Sequence, residues 1–384
     1  MAGRSVVVVG GGTGGLVAVR RLRRLLDRAD RVVLVTRDAR HCFASSFLWV
    51  MTGERKPERI CLDLRKLRAR GIEVVEAEAQ GLGLEARTVT TSAGEIAYDR
   101  LVLAPGVDLA PEAVPGFAEA AHTPYTLDGA SRAAAALASF PGGRVAVLVS
   151  RVPYKCPAAP HEIAFLAESL LRRRGLRGGS SVDLYTPEPQ PMPAAGPAMG
   201  EALEGLLGSR GIGFHPNVTV ERIDPEGRRL VLAEGGDVEY DLLLGVPAHR
   251  APALARESGL AGETGFIPVD RATLATAAEG VYAIGDATAI PIAGGKFLPK
   301  AGVFAHHEAE VVAKRIAAEL AGRTPLATFA GQGGCFVELG DGSAAYASGD
   351  FYAEEAPRIR LRTPGRRWHL GKVLFEQYWL RRWV

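Results

Sequence analysis

Residues 6–22 read VVVVGGGTGGLVAVRRL, and they decide the fold. Four consecutive valines suit a strand buried on both faces, as in a parallel sheet. Gly10, Gly12 and Gly15 follow as G-x-G-x-x-G, and the apolar residues beyond them recur at helical spacing. Glycines at these places permit a tight turn, let backbone N–H groups approach a pyrophosphate, and let helix and strand pack closely. The strand–turn–helix setting favours a dinucleotide-binding turn over a glycine-rich loop without a ligand. An acidic residue for the ribose hydroxyls belongs about 20 residues on; after RVVLV stand Thr36 and Asp38, the two candidates.

The architecture recurs. Residues 67–106, LRARGIEVVEAEAQGLGLEARTVTTSAGEIAYDRLVLAPG, parallel residues 207–247, LGSRGIGFHPNVTVERIDPEGRRLVLAEGGDVEYDLLLGVP. Both run from a helix end through Arg-Gly-Ile, a strand, a hairpin and Tyr-Asp to a short apolar strand. One copy starts at Val6 and the other at Val145, each a βαβ unit with a small antiparallel crossover. A third piece, GVYAIGDATAIP, ends a short strand in Gly285-Asp286, where an Asp can hold a ribitol hydroxyl of FAD. With the N-terminal glycines and YDRLVLAPG it completes a three-part flavoprotein signature. The fold expected is α/β, with two Rossmann-like dinucleotide-binding domains of the glutathione-reductase-like kind. Residues 1–110 and 245–322 form a discontinuous FAD domain, 111–244 the second unit, and 323–384 a C-terminal hairpin and amphipathic tail.

The chain has 384 residues, 47% of them hydrophobic, so it can bury a large core. Its net charge of +3 comes from scattered basic residues, which does not mark a nucleic-acid binder. Four cysteines in this length are not a disulfide scaffold, and their spacing suggests no metal. The opening MAGRS leads into a strand with no secretory leader, and no apolar run is long enough to span a bilayer.

The equivalent turn of the second unit is RVPYKCPAAPHE, residues 151–162. It has no glycine, and its three prolines donate no N–H. Pyridine-nucleotide binding is therefore expected to be lost here. Cys156 stands near the start of a helix and next to Lys155, both of which favour thiolate, so a reactive Cys156 is expected rather than an inert buried one. Cys335, in GQGGCFVELGDG, would read as hairpin packing if taken alone; its claim is that Cys156 needs a partner for a disulfide or a longer sulfur bridge.

PYKCPAAPHE, AIGDATAIP, LPKAGVFA and WHLGKVLFEQYWL together resemble the sulfide:quinone oxidoreductase family, and the related flavoprotein subunit of flavocytochrome c sulfide dehydrogenase, over nearly the whole chain. The resemblance implies FAD-dependent oxidation of sulfide, or a related sulfur compound, with membrane quinone as acceptor. It implies Cys335 near flavin C4a, Cys156 as its redox partner, Glu162 in proton transfer, and Lys300 at the flavin's pyrimidine edge. The flavin-binding set it implies is Gly10, Gly12, Thr13, Gly14, Gly15, Thr36, Asp38, Ala79, Ala104, Gly106, Gly285, Asp286, Lys300 and Ala301. Two departures stand out. Tyr125 occupies the place of a third cysteine in many members, making this a two-cysteine variant. Cys42 is about one residue off the register of a covalent flavin attachment, so non-covalent FAD is expected, with Cys42 a bystander and Cys61 packing.

The tail RRWHLGKVLFEQYWLRRWV combines Trp368, Trp379 and Trp383 with flanking arginines, as interfacial segments do. A peripheral membrane protein on the cytoplasmic face is expected, with a helix packed on the body as the competing reading. A homo-oligomer stays open. Rival functions are a soluble sulfide dehydrogenase serving a cytochrome, an NADH:quinone oxidoreductase, and a slow FAD-bound redox or sulfur sensor.

Overall fold

A computed structural model describes residues 3–383. Met1, Ala2 and Val384, at the outer limits of the first and last expected segments, lie outside the described residues. The four valines form the strand Ser5–Val9, central in a five-stranded parallel sheet. Its neighbours are Arg31–Thr36 and Arg100–Leu103, flanked in turn by Glu73–Glu76 and Val281–Ala283. Alternate valines enter different cores: Val6 and Val8 pack with Leu16, Val19 and Leu22, while Val7 and Val9 pack with Leu101, Leu103 and Val281. Burying each such side chain contributes about 1.5–3 kcal/mol.

A second parallel sheet repeats the plan with strands Arg144–Val149, Ser181–Tyr185, Gly213–His215 and Leu242–Val246. The first strand of each unit pairs with the unit's second strand on one side and its last strand on the other. Each unit also carries a three-stranded antiparallel ribbon, residues 79–97 and 220–239. The two crossings between the units run side by side, Asp108–Ala110 against Ala248–Arg250.

The C-terminal segment is a three-stranded antiparallel sheet, Gln332–Gly340, Ser343–Asp350 and Arg358–Gly365, followed by the helix Arg366–Arg382. This corrects the expectation of tryptophans at a membrane surface. Trp379 and Trp383 are each 1% exposed. Trp379 stacks on Phe43 and touches His306, which also meets Trp383, while Trp368 stacks on Tyr346. The helix buries Lys372, Glu376 and Trp379, spaced four and three residues apart, as one face of a helix should. Its other face exposes Leu370, Leu374, Phe375 and Tyr378. No helix among the described residues is long and apolar enough to cross a membrane.

Candidate functional site

The glycine turn is built to hold a ligand close. Gly10 has φ +109°, and a Cβ there would lie 2.1 Å from the Ala104 carbonyl oxygen. A Cβ on Gly15 would lie 1.8 Å from the Gly10 carbonyl oxygen, whereas Gly12 faces open space. The helix Thr13–Leu25 starts after Gly12 with no side-chain cap, so its first N–H groups stay free for an outside acceptor. The helix Gly302–Leu320 starts after Ala301, also uncapped, and a Cβ on Gly302 would come within 3.8 Å of the Thr13 hydroxyl. Two uncapped helix N-termini therefore meet at one place, where their dipoles favour an anion such as a pyrophosphate. These residues fit FAD.

The other flavin candidates lie on several further elements. Thr36 is buried behind the turn, its hydroxyl donating to the Asp38 carbonyl at 2.8 Å. The Asp38 carboxylate is exposed and accepts the Arg40 N–H at 2.7 Å. Gly106 has φ +78° and open space beside it, and Ala79 opens the first antiparallel ribbon. Gly285, at φ +71°, donates its N–H to Glu308 at 2.6 Å. Lys300 donates to the carbonyls of Asp286 at 2.7 Å and Thr288 at 3.0 Å, with its ammonium over the Phe266 ring. Burial pulls the Lys300 ammonium down to about 8, against the opposing pull of Asp286 and Glu308.

The cysteine loop lies against this segment. The Cys156 N–H donates to the Lys300 carbonyl at 2.6 Å, and Lys155 bridges Lys300 in parallel fashion. Cys156 holds φ +55°, a left-handed conformation that costs a residue with a Cβ on the order of 1–3 kcal/mol and clusters at functional sites. The Tyr125 hydroxyl donates to its carbonyl at 3.3 Å. Cys156 and Cys335 are the free cysteines among the described residues, and a thiolate at Cys335 would raise the Cys156 pKa. Glu162 is 3% exposed, accepting the Glu338 N–H at 2.9 Å and the Lys372 ammonium at 3.1 Å. Lys372 also lies 3.9 Å from Glu338 and 4.8 Å from the Trp49 ring centre. Structure thus brings Cys156, Cys335 and Glu162 together.

The expectation of a lowered Cys156 pKa is corrected. Burial pushes Cys156 far above the ordinary thiol range, with Cys335 and Glu162 adding to the rise. Burial and Glu162 push Cys335 up to about 12. The helix that should have helped starts at Ala159, beyond Cys156. The cation acting on both thiols is Lys372, which pulls each one down.

Lys372 went unrecognised because the tail's tryptophans and arginines dominated its reading; the signal was a Lys and a Glu four apart, Lys372 and Glu376, in an otherwise apolar run. A second omission is the disulfide between Cys42 and Cys61, which stand opposite each other on antiparallel strands. Neither is the bystander or packing cysteine expected, and a disulfide-bonded Cys42 offers no thiol to a flavin. A third is Glu188, beyond the second strand of the second unit, where a nucleotide's ribose would sit. It is buried and accepts the Tyr154 hydroxyl at 2.6 Å.

These features define an FAD-dependent oxidoreductase, and the chain belongs to the pyridine nucleotide-disulphide oxidoreductase family, which it matches over residues 4–310. It is similar to the sulfide-quinone reductase of Aquifex aeolicus, 26% identical over 98% of this chain and 90% of that protein. The solved Aquifex aeolicus sulfide:quinone oxidoreductase superposes with a TM-score of 0.89 at 25% identity, covering 99% of this chain and 91% of that one. Mouse mitochondrial sulfide:quinone oxidoreductase is 26% identical over 74% of this chain, which spans 66% of that protein's length.

Proposed function

We propose that this oxidoreductase takes electrons from sulfide through Cys156 and Cys335 and passes them to a quinone. One observation carries the reading: two half-buried free cysteines lie near the buried Glu162–Lys372 pair, and one of them is hydrogen-bonded through its backbone to Lys300 in the flavin segment. Starting from an oxidised Cys156–Cys335 bridge, hydrogen sulfide loses a proton as its sulfur attacks one cysteine sulfur and displaces the other as thiolate. Closing the bridge again around the new sulfur releases a second proton and two electrons. FAD, when bound, would take up the two electrons with one of these protons, which leaves one proton per hydrogen sulfide to be discharged. Lys372 assists by favouring the displaced thiolate, and Glu162 stands where it can take a proton.

The likeness to sulfide:quinone oxidoreductases supports quinone as acceptor. So does the outer face of the C-terminal helix, where Leu370, Leu374, Phe375 and Tyr378 are exposed between Arg366, Arg367 and Arg381. That pattern suits a peripheral helix lying in a bilayer surface. Pyridine nucleotide is disfavoured because the Ala159 N–H is already bound to the Cys156 carbonyl, Pro160 has none, and Glu188 is held by Tyr154.

Anaerobic titration tests the proposal. Sulfide should bleach the flavin, NADH should not, and a quinone should restore the colour. Bleaching by NADH with none by sulfide would sink it. Replacing Leu370 and Leu374 by Glu should release the protein from anionic liposomes; unchanged flotation would remove the support for membrane contact.

A further inference from the structure

The sulfur chemistry proposed above leaves one proton to discharge near Glu162, and the C-terminal helix offers it a way out. Glu162 Oε1 is 3.1 Å from Lys372 Nζ, and Lys372 Nζ is 3.9 Å from Glu338 Oε1. The other oxygen of Glu338, Oε2, is 3.0 Å from His369 Nδ1. Glu162, Lys372 and Glu338 are all at least 95% buried, whereas the His369 side chain is 26% exposed. The row therefore runs from Glu162 to the surface, with one gap of 3.9 Å between Lys372 and Glu338.

Its charges do not balance. Two buried carboxylates face one buried ammonium, which leaves a negative charge that a proton on Glu338 or His369 would neutralise. Glu338 Oε1 is buried with no hydrogen-bond partner, a position open to that proton. Packing alone would not select four titratable side chains here, since apolar residues of similar volume fill such a site as well or better.

We infer that Glu162, Lys372, Glu338 and His369 carry the proton released at Cys156 and Cys335 to the surface beside Leu370. The inference rests on the sulfide reading and adds a route to it. The outlet lies on the helix whose exposed face is assigned to the membrane, so the proton emerges near where a quinone taking two electrons also takes up protons. Groups facing His369 are Glu338 on the strand Gln332–Gly340 and Trp49 on the helix Phe47–Met51, with Arg55 over the Trp49 ring. Glu338 is faced by Lys372 and Glu162 as well.

The test is anaerobic stopped flow with a pH-indicator dye, following proton release beside flavin bleaching by sulfide. At a pH low enough that sulfide is mostly neutral hydrogen sulfide, the two should coincide in the wild type. His369→Phe should delay the proton roughly tenfold or more, with the sulfide concentration for half-maximal rate unchanged, and added imidazole should restore the rate. His369→Gln keeps a hydrogen bond to Glu338 but cannot titrate, so it should be slow too, and Glu338→Gln likewise. Should His369→Phe fail to fold, His369→Gln decides. If His369→Gln releases its proton at the wild-type rate, His369 serves only to hold Glu338 and the route is wrong. If sulfide fails to bleach the wild-type flavin, the sulfide reading falls and the route with it.

Discussion

The turns after Val9 and Val149 sit at equivalent places in two equivalent sheets, yet they do opposite things with their helix N-termini. After Val9, glycines let the backbone close in, and the first helical N–H groups are left open. After Val149, the chain spends those positions on itself: the Ala159 N–H bonds the Cys156 carbonyl, and Pro160 has no N–H. Tyr154 takes the acidic residue beyond the next strand. A duplicated frame preserves where a ligand could sit; the loop residues decide whether the place binds a phosphate or presents a thiol.

The largest effect should come from the first turn. Gly15→Val puts side-chain atoms into the Gly10 carbonyl, and the purified protein should carry no flavin absorbance. A yellow variant would refute the close approach. Next, Cys156→Ser and Cys335→Ser should each slow sulfide bleaching by on the order of 10³-fold or more while leaving FAD bound. Bleaching at the wild-type rate in either variant would remove the thiols from the reaction.

The C-terminal helix touches both turns. Trp379 donates to His41 Nε2 at 3.4 Å, and His41 Nδ1 is 3.0 Å from the Gly11 carbonyl. Trp379→Ala should therefore destabilise the fold by about 3–5 kcal/mol and weaken FAD retention, read by thermal melting and flavin release. Deleting residues 366–384 should do the same more severely, rather than merely freeing an intact enzyme from membranes. Lys372→Met acts on the other turn. It leaves Glu162 and both thiols without their cation, so thiolate forms only at higher pH. Sulfide bleaching should slow roughly 10–100-fold near neutral pH, with its alkaline rise moved upward; an unchanged pH profile would rule the cation out. The smallest effect belongs to Tyr154→Phe, which frees Glu188 but adds no phosphate cradle. NADH should still fail to bleach the flavin, and success would mean that Tyr154 alone blocks a working nucleotide site.

The frame was legible because local pattern and global fold agree: valine runs, Arg-Gly-Ile, and the two Tyr-Asp hairpins each carry their own periodicity. Gly10, Gly12 and Gly15 could be read for the same reason, since one short segment holds the whole motif. The cysteine cluster was half legible. Cys156 and Glu162 share a segment, but Lys372 lies 210 residues beyond Glu162 and joins it only through tertiary packing. The thiols' raised pKa was illegible too, because burial dominates it and the lysine that opposes burial is Lys372, distant in sequence, rather than the adjacent Lys155. Cys42 and Cys61 are brought opposite each other by strands of three residues, too short to announce a pairing.

The C-terminal helix also bears on the order of assembly. During synthesis, units emerging first fold first. Both sheets can form before residue 366 leaves the ribosome, but Glu162 then lacks its ammonium and His41 lacks Trp379. A nascent chain with two complete sheets would still have an unfinished thiol site and an unsupported cofactor turn. The redox site is therefore complete only after the C-terminal helix has packed onto both units.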